Sequence, residues 1–228
     1  MIRSLNSGAW VSLPEKFIAQ PEKTVCITGH RFRSLLPYQN DMSRMVETKK
    51  CFYLLLCRYI DLAAEAGYTT FMDGLASGTD LYAAHYIIRR KKQGDDLRLI
   101  GVMPYLRHAE HFSSEELDML TETERSCDCL VCTNPDPDVT YSRSGAGNTL
   151  YRTRNYYMAD RSAAGIAFMN EEAYHSGTGQ TVARLKRAGK PVALFGSEDV
   201  HRLMDEAGGD IQAFANNLSR IRTIFHKL

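Results

Sequence analysis

Apolar residues along this chain come in short runs, separated by longer stretches in which they recur every three to four positions. The first run covers residues 23–28 (Lys-Thr-Val-Cys-Ile-Thr) and stops at Gly29. Similar runs cover 69–72, 97–103, 129–133, 164–169 and 191–195. Nearly every position in them is apolar, rather than every second one, which predicts strands buried on both faces. The stretches between them predict helices over 41–66, 79–92, 107–125, 150–161 and 178–188. A tail over 199–228 reads as helical, with an interruption at Gly208-Gly209, while Gly67 and Gly189 stand where helices close. Strand and helix alternate throughout. The expected fold is therefore α/β: doubly wound, with a mainly parallel sheet covered by helices on both faces. In such sheets ligands bind beyond the carboxyl ends of the strands, where the strand order reverses. The ends of the first, second, fifth and sixth strands are the places to search.

Residues 1–22 are mixed in character and contain Trp10, Phe17 and two prolines, so they read as an N-terminal arm that docks on the domain or on a partner. Residues 23–198 form the domain, and 199–228 a C-terminal helical tail packing on it.

Composition narrows the function classes. A chain of 228 residues, 44% hydrophobic, can bury a sizeable core. Its 28 basic residues against 27 acidic ones leave a net charge of +1, which does not support a strongly basic nucleic-acid binder, although it leaves room for a local basic patch. A chain this long needs no disulfides, so the six cysteines read as reduced core thiols. Cys127-x-Cys129-x-x-Cys132 lacks paired C-x-x-C spacing and reads as a buried strand, so no metal site is expected. There is no long apolar span and no signal-like apolar region in residues 1–21, which makes the cytoplasm the expected compartment.

Four constellations carry candidate chemistry. Asp73-Gly74-Leu75-Ala76-Ser77-Gly78-Thr79-Asp80 is a glycine-rich turn from a strand into a helix. Such a turn lets backbone approach an anion, and the helix start offers unpaired N–H donors. Gly74, Ala76, Ser77 and Gly78 are the candidate cradle. Asp80 would bond a ribose hydroxyl, orient the turn or simply oppose the helix dipole. Ser176-Gly177-Thr178-Gly179-Gln180-Thr181 is a second turn of this kind, with Thr181 offering a hydroxyl; a plain capping role explains Ser176 or Thr178 equally well. Thr28-Gly29-His30-Arg31 follows the first strand, where Arg31 suits a phosphate and His30 either polarises a ligand group or caps the loop. Arg154 and Asn155, on the helix before the fifth strand, would hold a phosphate or a base edge, or else sit in solvent. No residue spacing identifies a nucleophile, a general acid–base pair or a Walker lysine.

These motifs, TGHR, DGLASGTDLYAAH, TRNYYMAD and SGTGQTVARLKRAGKPV, resemble the SLOG superfamily in the same order, over residues 23–196, with its YpsA-like branch the nearest likeness. The resemblance implies a Rossmann-like fold that binds nucleotides or ADP-ribose-like ligands, in a sensing or regulatory role. Two related families imply rival functions. LOG phosphoribohydrolases cleave the base–ribose bond of nucleoside monophosphates, and their R-K-x-x-M pattern is matched by Arg154, Asn155 and Met158. Their P-G-G-x-G-T-x-x-E is matched only at Gly177 and Thr178; Thr181 stands where they carry the catalytic Glu, so binding is favoured over catalysis. Were this chain a hydrolase, Asp80, Asp160, Glu171 or Glu172 would have to supply the acid. DprA, which binds single-stranded DNA, has runs similar to residues 74–85 and 176–183. The expected partner is a nucleotide-like small molecule, with no other cofactor, no membrane, nucleic acid disfavoured and homo-oligomerisation open.

Overall fold

The apolar runs become the strands of one parallel sheet. The computed structural model describes residues 2–31, 42–141, 147–170 and 175–225. A small antiparallel hairpin, β1 (Ile2–Arg3) and β2 (Trp10–Val11), precedes the sheet. Its six strands are β3 (Thr24–Gly29), β4 (Thr70–Asp73), β5 (Arg98–Met103), β6 (Cys129–Cys132), β7 (Ala164–Phe168) and β8 (Val192–Phe195). They lie in the order β6-β5-β4-β3-β7-β8, all parallel. Among the described residues there are seven α-helices: α1 (Met42–Glu65), α2 (Thr79–Lys92), α3 (Ser114–Ser126), α4 (Gly147–Asp160), α5 (Gly177–Arg187), α6 (Ser197–Glu206) and α7 (Ile211–Leu218).

Strand alternation assigns the two faces. Val25, Ile27, Phe71, Leu99 and Ile166 point into a core shared with α1, α2, α6 and α7. Cys26, Met72, Ile100 and Val131 point the other way, against Tyr157, Met158 and Leu185 of α4 and α5. Helices therefore cover both faces, as expected of a doubly wound sheet. At the centre of the first core Phe168 sits edge-on to Phe52 and Phe195, with ring centroids 4.0 and 4.5 Å away. Burying each such ring contributes about 2–3 kcal/mol.

The strand and helix positions agree with the sequence pattern to within a few residues, with two larger differences. The tail, read as helical over 199–228, has no helix after Leu218 among the described residues. The helix predicted over 107–125 begins only at Ser114. Ser113 is the reason: its Oγ accepts from the Glu116 amide, and Glu116 Oε2 accepts from the Ser113 amide at 2.8 Å. This reciprocal capping box fixes the helix start. The residues before it instead form turns, with Leu106 and Ala109 buried beneath them.

Both ends of the chain pack on the sheet. Ser12 donates its amide to the Leu130 carbonyl at 2.7 Å and accepts from the Cys132 amide at 3.2 Å, so the arm pairs with the outer edge of β6. Ser4 Oγ donates to Glu124 at 2.6 Å, and Tyr157 Oη donates to the Pro14 carbonyl at 3.1 Å. Trp10 stays exposed under the Arg3 guanidinium, whereas Phe17 packs against the second core. In the tail, Val200, Leu203, Phe214 and Leu218 join the first core. Gly208 and Gly209, both at positive φ, turn the chain between α6 and α7.

Candidate functional site

Strand order reverses between β3 and β7, and a cleft of about 720 Å³ opens at their carboxyl ends. The end of β3 contributes Thr28, Gly29, His30 and Arg31; the turn after β4 contributes Ala76, Ser77 and Asp80. Arg154 and Asn155 of α4 and Ser176, Gly177 and Thr178 at the start of α5 complete that part of the lining. Gly74, Gly78, Gly179 and Thr181, expected from the sequence to contact the ligand, are buried and do not line the cleft. The end of β8 is not part of the cleft: Ser197 beyond it is bonded to Asn170. A cavity of about 780 Å³ lies at the opposite, amino-terminal end of the strands, between Leu62, Tyr68, Pro191 and Phe225.

The β4–α2 turn is built around buried charge. Asp73, fully buried, accepts from the Leu75 amide at 2.7 Å. Leu75 adopts the left-handed region at φ 54°, a conformation that costs a non-glycine residue about 1–2 kcal/mol, while its side chain is buried in the core. Asp80 Oδ2 accepts from the Ala76 amide at 3.4 Å and stands 3.6 Å from Arg154 Nη1. Both of these side chains are more than nine-tenths buried. Burial raises the Asp80 carboxyl to about 6 against the opposing pull of Arg154; burial, then the neighbouring Asp80, raises Asp73 well above the usual carboxylate range. The pair thus prefers one negative charge to two. Asp73 Oδ2, Asp80 Oδ1 and Arg154 Nε are buried without hydrogen-bond partners. Gly74 serves Arg154: a Cβ at position 74 would lie 1.5 Å from Arg154 Nη1.

The start of α5 is organised differently. Ser176 Oγ accepts from the Gly179 amide at 3.0 Å, capping the helix. The same hydroxyl lies 2.8 Å from His30 Nε2. Burial lowers the His30 pKa, which favours a neutral ring accepting the Ser176 O–H. This bond ties the end of β3 to the start of α5 across the strand-order reversal. Asn155 Nδ2 donates to the Gly177 carbonyl at 3.1 Å, and Thr181 Oγ1 donates to the same carbonyl at 3.0 Å. Asn155 and Thr181 therefore position this turn. The first turn carries no acidic residue, and the amides of Gly177 and Thr178, at the cleft, have no acceptor within the helix.

The opposite wall comes from residues that the sequence pattern did not single out. The turns after β5 bring Tyr105, His108, His111 and Phe112, and Tyr141, Tyr151, Arg152, His175 and Gln180 complete the lining. The capping box at Ser113 was the signal that residues 105–112 form a loop at a strand end. His108 is deeply buried, and burial followed by the Arg154 charge lowers its pKa to about 4. Asp73 was also missed as the partner of Asp80.

Among the alternative acids, Asp160 forms an exposed two-bond pair with Arg184, away from the cleft. Glu171 and Glu172 lie outside the described residues. Among the described residues no group of three His, Cys, Asp or Glu side chains is placed to hold a metal ion, and no helix is long and apolar enough to cross a membrane.

A family model described as the YspA SLOG family (YpsA) matches residues 25–191. No curated protein matches the chain. Among solved structures, the X-ray structure of DNA processing protein A (DprA) from Streptococcus pneumoniae is similar, with a TM-score of 0.45 and 16% identity, over 81% of this chain and 57% of that one. The chain thus spans a little over half the length of that protein.

Proposed function

The chain belongs to the YspA SLOG family, and from that footing we propose that it binds a nucleotide-like small molecule, a nucleotide or an ADP-ribose-like derivative, through its phosphate. One observation carries the reading. Arg154 is buried in the cleft, yet its Nε lacks a partner and its contact with Asp80 is 3.6 Å long. A guanidinium presents five donors in a fork that matches phosphate oxygens. A phosphate would bond the part of this incompletely satisfied guanidinium that faces the cleft. The acid-free start of α5 adds amides and a favourable dipole on the same cleft. Thr181, bonded to the Gly177 carbonyl and packed away from the cleft, offers no acid to a ligand, which supports a sensing or regulatory role over hydrolysis.

Calorimetric titration with nucleoside phosphates and ADP-ribose should give saturable binding. Arg154→Lys keeps a cation beside Asp80 but loses the fork, and should weaken binding about tenfold with little change in melting temperature. Flat titrations across the panel would sink the reading. A second reading, hydrolysis of the base–ribose bond, is favoured by Asp80, whose carboxyl at about 6 suits proton donation near neutral pH. Release of free base from nucleoside monophosphates, above a heat-killed control, is its measurable sign. Single-stranded DNA binding would appear as a salt-dependent anisotropy shift, and the net charge of +1 does not favour it.

A further inference from the structure

We propose that the anion enters the cleft together with a proton, which the buried pair Asp73 and Asp80 takes up as Arg154 shares its charge with the ligand. The inference rests on the phosphate reading above and adds the regulation of that site: its affinity follows pH.

Three ionisable side chains are shut in together at the cleft: Asp73 at the end of β4, Asp80 in the first turn of α2 and Arg154 of α4, all buried. Two carboxylates thus face a single guanidinium, one negative charge in excess when all three are ionised. Asp80 Oδ2 stands 3.6 Å from Arg154 Nη1, while Asp73 Oδ2 and Asp80 Oδ1 are buried without hydrogen-bond partners. A neutral carboxyl costs less there than a second carboxylate. Among the described residues, the other titratable groups facing this cluster add no positive charge. Burial holds the thiols of Cys26, on β3, and Cys127, just after α3, in the neutral form, with Cys26 pushed up to about 12. His108, from the turns after β5, faces Arg154 and is lowered by burial to about 4.

A bound anion shifts this balance. Phosphate oxygens on the guanidinium fork add negative charge to the same cation that compensates Asp80. Like charges sharing one partner in a water-poor site strengthen a carboxyl's hold on its proton. Asp80, at about 6 in the free chain, is mostly ionised at neutral pH, so a proton has to come from solvent as the anion binds. The bound form holds that proton more strongly than the free form. Affinity is therefore greatest below about pH 6 and falls as pH rises above it. His30, His111 and His175 also line the cleft, and protonating them beside an anion would give the same sign. The carboxyl and the imidazoles have to be removed separately.

The test is calorimetry on the intact chain with ADP-ribose and inorganic sulfate, anions that carry no titrating proton near neutral pH, in buffers of different ionisation enthalpy. Binding at about pH 7 should take up roughly half to one proton, and affinity should fall about five- to tenfold from pH 6 to 7.5. Asp80→Asn puts a neutral side chain of the same shape beside Arg154; it should remove most of the uptake and flatten the pH profile. A combined His30→Gln, His111→Gln and His175→Gln variant should keep the uptake, even where it weakens binding. No uptake and a flat profile in the unaltered chain would overturn the proton coupling and leave the phosphate reading standing. Undiminished uptake in Asp80→Asn, or its loss in the histidine variant, would overturn the coupling too, by moving the proton to imidazole. Should Asp80→Asn fail to fold, the histidine variant decides. No binding of either anion at any pH would overturn the coupling, and the titrations with nucleoside phosphates then judge the phosphate reading by themselves.

Discussion

The β4–α2 turn and the β7–α5 turn share a plan, a glycine-rich link from a parallel strand into a helix start, but differ in what occupies the helix start. At α2 the chain supplies its own anion. Asp80 sits in the first turn, almost fully buried, and Asp73 bonds the turn from below. The favourable end of that helix is already compensated, and the turn serves to hold Arg154. At α5 no acid is present in the first turn, and a serine hydroxyl caps the helix instead. That start keeps amides available to something from outside. A glycine-rich turn is thus an incomplete signal: the charge of the residues just inside the helix decides whether its dipole is already compensated by the chain itself.

The glycines of the two turns give the sharpest test. Gly74→Ala would place a methyl 1.5 Å from Arg154 Nη1, which has to move and leave the buried Asp80 charge uncompensated. We expect a loss of about 3 kcal/mol or more in urea denaturation, together with loss of phosphate binding. Gly177→Ala meets only Asn155 Nδ2 at 3.2 Å on a helical backbone, so its stability cost should stay within about 1 kcal/mol. Equal costs for the two variants would break the distinction. Ser176→Ala comes next. It removes the cap on Gly179 and the bond to His30, and should cost about 1 kcal/mol. Thermal melts should fall by about 2–4 °C, the range for a chain of this size.

The smallest effect concerns pH and belongs to the α2 side. Asp80 is raised in the folded state, so its contribution to stability is full below about pH 4 and is lost as pH rises through about 6. His108 is depressed from 6.5 to about 4, so its contribution is full above 6.5 and is lost as pH falls through about 4. His108 opposes Asp80 in one window, but Asp73, raised as well, adds to Asp80, so the native melting temperature should fall as pH rises from about 4.5 to 6. His108→Gln removes the opposing contribution and should steepen that fall by about 2 °C. Matching profiles for both proteins would remove His108 as the opposing group.

Much of this arrangement was legible in the chain. Apolar runs located the six parallel strands because residues buried on both faces leave no alternation to misread. The residues after β3 and β4, on α4 and before α5 stood out because glycine, hydroxyl and arginine cluster at strand ends, and twelve of those expected line the cleft. The aromatic wall was not legible. Leu106, Ala109 and Phe112 continue the apolar spacing of α3, which masked the loop that forms this wall. The role of Gly74 was hidden for another reason: its function depends on a side chain brought to it by the fold. Docking of the arm was expected on the domain or on a partner, but its place at the edge of β6 was hidden, since a single bridged residue, Ser12, leaves no periodic trace.

The clearance above Gly74 couples two positions far apart in the chain. A methyl at 74 forces the guanidinium at 154 out of its place beside Asp80, whereas a short residue at 154 frees position 74. Position 74 is therefore tied to 154, so across related chains a side chain at 74 should appear together with a shortened residue at 154, a paired exchange that an alignment would reveal as covariation.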